Sequence, residues 1–130
     1  MQTVYDFLKK ADTYYLATVD GNQPRVRPFG TINIFDNRLY IQTGKKKDVA
    51  RQIGMNPKVE LTAFDGATWI RVAATLVEDN RAEAQESMLE AYPQLKGRYA
   101  VNDGNNTVYY LKDVTAVFYT FEGEPKVVRF

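Results

Sequence analysis

The 130-residue chain is long enough for one domain with a modest core, and its 17 Lys and Arg against 16 Asp and Glu leave a net charge of +1. That balance gives no global reason to expect nucleic acid or an anionic membrane as partner. With no Cys and no His, the chain lacks a disulfide framework, Ser–His or Cys–His nucleophilic pairs and the common transition-metal ligand sets.

No apolar run approaches the roughly 18 residues of a membrane span, and "MQTVYDFLKK" lacks the basic-then-apolar order of a signal peptide. The expectation is a soluble cytoplasmic protein with a single domain over residues 1–130. "TVYDFLKKA" places Val4, Phe7, Leu8 and Ala11 at helical spacing, which predicts a short amphipathic helix over a barrel mouth or edge. "TYYLATVD" and "RVRPFGTINIF" read as strands joined through "DGNQP", whose Asp20-Gly21 pair signals a turn. "RLYIQT" reads as a third strand entered through Asp36-Asn37, and "KKDVARQIGMN" as a helix closed by Asn56-Pro57.

"KVELTAF" and "ATWIRVAATLVED" form the next predicted hairpin, through Asp65-Gly66. Asn80 with Glu83 three residues later resembles a capping box for the helix "RAEAQESMLEAY", in which Ala84, Met88, Ala91 and Tyr92 make one stripe. "TVYYLK", "TAVFYTF" and "KVVRF" complete the strands. The fold class is mainly β with a few short helices. About six to seven antiparallel strands in a consecutive meander favour a small closed or split β-barrel, since closure removes exposed edges.

Candidate chemistry sits on this frame in two places. In "PRVRPFG", Arg25 and Arg27 are two apart, so on a strand both guanidinium groups leave one face while Val26 and Pro28 leave the other. The run Lys45, Lys46, Lys47 stands where a strand hands over to a helix, with the Thr43 hydroxyl just upstream. Exposed cations are unfavourable at a helix start, so an anion is expected nearby. If the strands bearing the arginines and the lysines lie together, the product is a compact basic pocket suited to phosphate. The alternative is a solvated charge run, and no Walker or GxGxxG pattern is present. In "TWIRVAATLV", Ile70, Val72, Ala74 and Leu76 make a core face. Trp69 and Arg71 share the other face, suited to a planar ligand, a dimer seam or packing under a helix.

The segments "YYLATVDGNQPRVRPFG", "RLYIQTGKKKDVARQIGMNPKVEL" and "WIRVAATLVED" resemble, in order and spacing, the FMN-binding split-barrel family typified by pyridoxamine 5′-phosphate oxidase and its nitroimidazole-reductase-like relatives. The likeness runs from Tyr14 to about Glu78 and continues more loosely to the final strands. It implies a split barrel of FMN-binding type and a homodimer with FMN sites at the interface, each built from both subunits. Arg27 falls at a phosphate-binding arginine of the family, with Arg25 beside it. Thr43 and either Lys46 or Lys47 fall in its next phosphate-binding segment, and Gln42 beside them is a further cofactor-binding candidate. Pro28, Phe29 and Gly30 would run beside the isoalloxazine ring, and Trp69, with Arg71 next on its face, matches a position that contacts the flavin. No catalytic or metal-ligating side chain is expected.

A chain without His or Cys must take redox chemistry from a cofactor. The expected function is an FMN-dependent oxidoreductase acting on an unidentified small molecule. Pyridoxamine phosphate oxidation is not expected, because the family's oxidase uses a C-terminal segment with a histidine and this chain has none. The alternative is a flavin-binding carrier or sensor without turnover. A basic-groove nucleic-acid barrel ranks third, disfavoured by the near-neutral charge.

Overall fold

A computed structural model describes residues 1–130. Helix α1 (Gln2–Ala11) is followed by strands β1 (Tyr14–Asp20), β2 (Gln23–Phe29), β3 (Asn33–Phe35) and β4 (Arg38–Gly44). Helix α2 (Asp48–Met55), β5 (Lys58–Phe64), β6 (Thr68–Glu78), helix α3 (Ala82–Ala91), a 3-10 turn over Pro93–Gly97, β7 (Asn106–Thr120) and β8 (Lys126–Arg129) complete the chain. The eight strands form one antiparallel sheet in the order β2-β1-β5-β6-β7-β4-β3, with β8 on β7. The path does not close on itself, which is the split-barrel architecture.

Local chemistry explains most element boundaries. The β1–β2 turn uses Gly21 at φ 63°, where the missing Cβ removes the steric penalty. Asp36 and Asn37 both take positive φ between β3 and β4, the two-residue turn whose twist matches that of its strands. Asp65 closes the β5–β6 turn by accepting the amides of Ala67 at 2.9 Å and Thr68 at 2.7 Å.

The strand order corrects the expected meander. β1 pairs with β5, and β4 with β7, so β2 and β4 lie far apart along the sheet. The basic pocket predicted from adjacent strands is not made by pairing. "RVRPFGTINIF" is also not one strand: it breaks at Gly30–Ile32, and Tyr92 pins the break by accepting the Ile32 amide (3.0 Å) and donating to its carbonyl (3.1 Å). "TVYYLK" and "TAVFYTF" form one continuous strand instead of two, with Asp113 at positive φ and a register shift against Ala73 and Thr75. The Asn80 capping box is absent. Arg81 precedes α3 without a side-chain cap, and Asp79 takes its amide at 3.1 Å.

Alternation along the strands divides the sheet into two faces. One cross-strand row runs Arg27, Leu16, Leu61, Val72, Ala116, Val128, and its members from Leu16 to Ala116 are buried. The neighbouring row runs Pro28, Tyr15, Thr62, Arg71, Val117, Val127 on the outer face. α1 inserts Val4 and Leu8 into the inner core, and α2 adds Val49 and Ile53. A smaller cluster joins Met88, Leu89, Tyr92, Leu95 and Tyr99 to Tyr40 and Val108. The α3 stripe is therefore Ala84, Gln85, Met88, Leu89 and Tyr92, while the expected Ala91 is exposed.

Candidate functional site

Because Arg27 ends the inner row, it points toward the core at the sheet margin, where α2 covers it. Its Nη1 donates to Thr18 Oγ1 at 2.7 Å and to the Leu16 carbonyl at 3.3 Å, and its Nη2 to Gln52 Oε1 at 2.5 Å. Thr18 in turn donates to the same Gln52 oxygen at 2.6 Å. Burial, and secondarily the Arg25 guanidinium, pull the Arg27 pKa below that of an ordinary arginine, while Asp48 opposes this. Arg25 is committed to Asp20 at 3.2 Å, and Arg51 of α2 reaches the same carboxylate at 3.6 Å.

The lysine run precedes α2 and does not lie within it. Lys47 is the extended residue at the helix start, and Asp48 places an acid in the first turn, where the helix dipole favours one. The backbone is held from the loop before β7: the Lys45 amide donates to the Asn105 carbonyl at 2.7 Å and the Lys46 amide to Asn105 Oδ1 at 3.1 Å. Asp103 shapes that loop by accepting the amides of Ala100, Asn105 and Asn106, which hold its carboxyl below the usual range. Lys45 turns away to Glu78 at 3.8 Å, in a separate depression with Arg51 and Tyr109.

Curling of the sheet brings together what strand pairing does not. A cleft of about 360 Å³ is lined by Pro28, Phe29, Gly30, Thr31, Gln42, Thr43 and Lys47 on one side, and by Tyr92, Gln94, Leu95, Arg98 and Tyr99 on the other. Asp12 and Thr13 close one end. Next to it, Arg25, Arg27, Lys47, Asp48 and Gln52 line a second depression. Lys47 stands on the ridge between the two and belongs to both. Lys46 lines neither.

The residues missed by sequence reasoning are those of the α3 end and the 3-10 turn. Tyr92 was visible as part of a helical stripe, but Gln94, Arg98 and Tyr99 carried no local signal, since their role comes from docking against Gly44 and the Gly30–Ile32 loop. A Cβ on Gly44 would meet Tyr99 Oη at 3.0 Å and Asn105 Oδ1 at 3.2 Å, so glycine permits this close wall.

Trp69 and Arg71 do not line the cleft of their own chain. Trp69 stacks on Tyr119 at 5.3 Å and touches Phe64 and Phe121, so it packs in a sheet-surface aromatic cluster and not under a helix. Arg71 pairs with Glu60 at 3.3 Å and lies over Tyr119. Both share the outer face with Pro28, and that face exposes apolar area: Phe121 is 75% exposed, Val26 68% and Phe64 57%.

Uncommitted donors lie in and around the cleft. The Thr43 hydroxyl makes no hydrogen bond within the chain although the residue is 4% exposed. At the start of α2 the Ala50 amide donates to the Lys47 carbonyl at 3.1 Å, and helix geometry leaves the Asp48 and Val49 amides over. Asn106 Nδ2 is the single buried side-chain polar atom without a partner, on the residue whose Oδ1 accepts from Gln42 Nε2 at 2.9 Å. No cluster of acidic side chains could hold a metal ion.

Residues 1–123 match the sequence pattern of the pyridoxamine 5′-phosphate oxidase family. The chain belongs to this family. A solved structure of a NimC/NimA family protein from Clostridium acetobutylicum superposes with a TM-score of 0.96 at 37% identity, covering 100% of this chain and 92% of that one. General stress protein 26 from Bacillus anthracis str. Sterne gives 0.76 at 16% identity, with 98% of each chain covered. A pyridoxamine 5′-phosphate oxidase-related, FMN-binding protein from Nostoc punctiforme gives 0.63 at 17% identity over 97% of this chain and 90% of that one. The last two likenesses speak for the fold. No curated protein matches the chain. No helix is long and apolar enough to cross a membrane.

Proposed function

We propose that the chain is an FMN-binding oxidoreductase that works as a homodimer, with the phosphate beside Arg27, Thr43 and Lys47 and the ring along Pro28–Gly30. The observation that carries the reading is Arg27: a guanidinium fixed on three neutral acceptors, with no carboxylate within ion-pair distance, in a depression shared with Lys47, which also lines the cleft holding the free Thr43 hydroxyl. Family membership and the FMN-binding description of one structural relative support the choice of flavin.

The remaining predicted residues take lesser parts. Lys46 is set aside in favour of Lys47, and Arg25 contributes field more than contact because Asp20 already holds it. Trp69 and Arg71 would reach a flavin only across a dimer seam formed by the outer face, which the exposed Phe64, Phe121 and Val26 suit. FMN, once bound, supplies the hydride or electron chemistry. The chain's own groups anchor the phosphate, exclude water with Tyr92, Leu95 and Tyr99, and leave the far end of the cleft, near Arg98 and Gln94, for a small substrate.

The decisive experiment is a visible absorption spectrum of the purified protein with FMN, followed by NADH or NADPH under air and then with a nitroaromatic or quinone acceptor. Bound flavin that is reduced and reoxidised supports the oxidoreductase. Bound flavin that is never reduced supports a carrier or sensor, and absence of binding refutes the reading. Arg27→Ala should weaken FMN by about 10- to 150-fold, the effect of losing a charged hydrogen-bond partner.

A further inference from the structure

Planarity of the arginine side chain turns the contacts of Arg27 into a statement about what it can still bind. A guanidinium has five N–H donors in a fixed fork. Thr18 Oγ1 and Gln52 Oε1, themselves 2.6 Å apart, straddle Nη1 and Nη2 and occupy the end of the fork. The second Nη1 proton goes to the Leu16 carbonyl. Two donors remain, on Nε and Nη2, and they project in parallel from one edge, the geometry that grips a phosphate or carboxylate with two bonds.

Both side chains that set this geometry are buried, Thr18 2% exposed and Gln52 3%. They come from different elements, β1 and α2, so the arginine also ties α2 to the sheet margin. Their neutrality matters as much as their position. A carboxylate at position 52 would occupy the same donors and cancel the charge, whereas an amide oxygen fixes the group and leaves its charge unspent. The nearest acids do not cancel it either, since Asp20 is shared by Arg25 and Arg51, and Asp48 sits in the first turn of α2 without an ion pair to Arg27.

From this geometry we infer that Thr18 and Gln52 are positioning residues for Arg27, and that an uncharged side chain at position 52 determines whether the depression accepts a dianionic group. The inference rests on the phosphate site proposed above. It assigns the discrimination between a phosphorylated flavin and its unphosphorylated analogue to two residues that need not touch the ligand.

The test compares FMN and riboflavin affinities in the parent and in Thr18→Val, Thr18→Ser, Gln52→Glu and Gln52→Leu. It is accompanied by nitrogen-15 NMR of the arginine side chains in the flavin-free protein. Hindered rotation of the Arg27 guanidinium is expected in the parent and in Thr18→Ser, and its loss in Thr18→Val and Gln52→Leu. The FMN-over-riboflavin preference should fall at least about tenfold in Thr18→Val and Gln52→Glu while riboflavin binding changes little, and Thr18→Ser should retain it. A freely rotating Arg27 in the parent, or an unchanged preference in Thr18→Val and Gln52→Glu, overturns the assignment alone. A parent with an immobilised Arg27 that binds FMN and riboflavin alike overturns the phosphate site as well as this assignment.

Discussion

The wall of the cleft formed by α3 hangs on one carboxylate, and Asp79→Asn should expose that dependence. Asp79 is 8% exposed and accepts from Tyr40 Oη at 2.7 Å, from Arg81 Nη2 at 2.9 Å and from the Arg81 amide at 3.1 Å. Arg81 reaches on to Asp36 at 3.2 Å, so β3–β4 turn, β6 and α3 meet there. The Arg81 side-chain bonds, with smaller help from Tyr40, lower the Asp79 pKa from 3.8 to about 2. Such a lowering corresponds to about 2 kcal/mol of preference for the ionised form in the folded state. Screening at the half-exposed Arg81 reduces this to about 1–2 kcal/mol.

For 130 residues, an unfolding entropy of about 2.1 cal/mol/K per residue translates that loss into a melting temperature lower by roughly 4–7 °C. The sign with pH follows from the depressed pKa. The stabilisation is fully present above about pH 5, declines as pH falls through 3.8, and is gone below the folded-state value of about 2. Calorimetry of parent and Asp79→Asn between pH 7 and pH 2 should therefore show a gap that closes toward low pH. A gap that is absent at pH 7, or that persists undiminished at pH 2, refutes the clamp.

Gly44→Ala should press a methyl group against Tyr99 Oη and Asn105, costing about 1–3 kcal/mol and weakening FMN binding, as read by thermal melting and flavin titration. Phe121→Lys should leave monomer stability within about 0.5 kcal/mol, since the ring is largely exposed, yet abolish dimerisation in light scattering; a parent that is already monomeric at micromolar concentration refutes the shared site. Lys47→Ala should weaken FMN several-fold while Lys45→Ala leaves it unchanged, because Lys45 faces Glu78; equal effects in calorimetric titration would place the phosphate elsewhere.

Strand alternation, turn residues and the amphipathic spacing of three helices were legible because each is a local property, readable from neighbours two to four positions apart. The sharing of one face by Arg25 and Arg27 was of this kind, as was the aliphatic inner face of "TWIRVAATLV". Strand order was not, since identical alternation suits a meander or the observed path, and the pairings β1–β5 and β4–β7 are set by which faces bury most apolar area together. The same limit hid the break at Gly30–Ile32, which depends on a tyrosine sixty residues away. It also hid the continuity of β7. The sequence by itself determined which residue types could serve an anion and which side of each strand they occupy. Only the tertiary structure decided that Lys47 and not Lys46 lines a depression with Arg27, that Lys45 is spent on Glu78, and that α3 closes the cleft, because these juxtapositions come from the curl of the sheet and from packing between segments far apart in the chain.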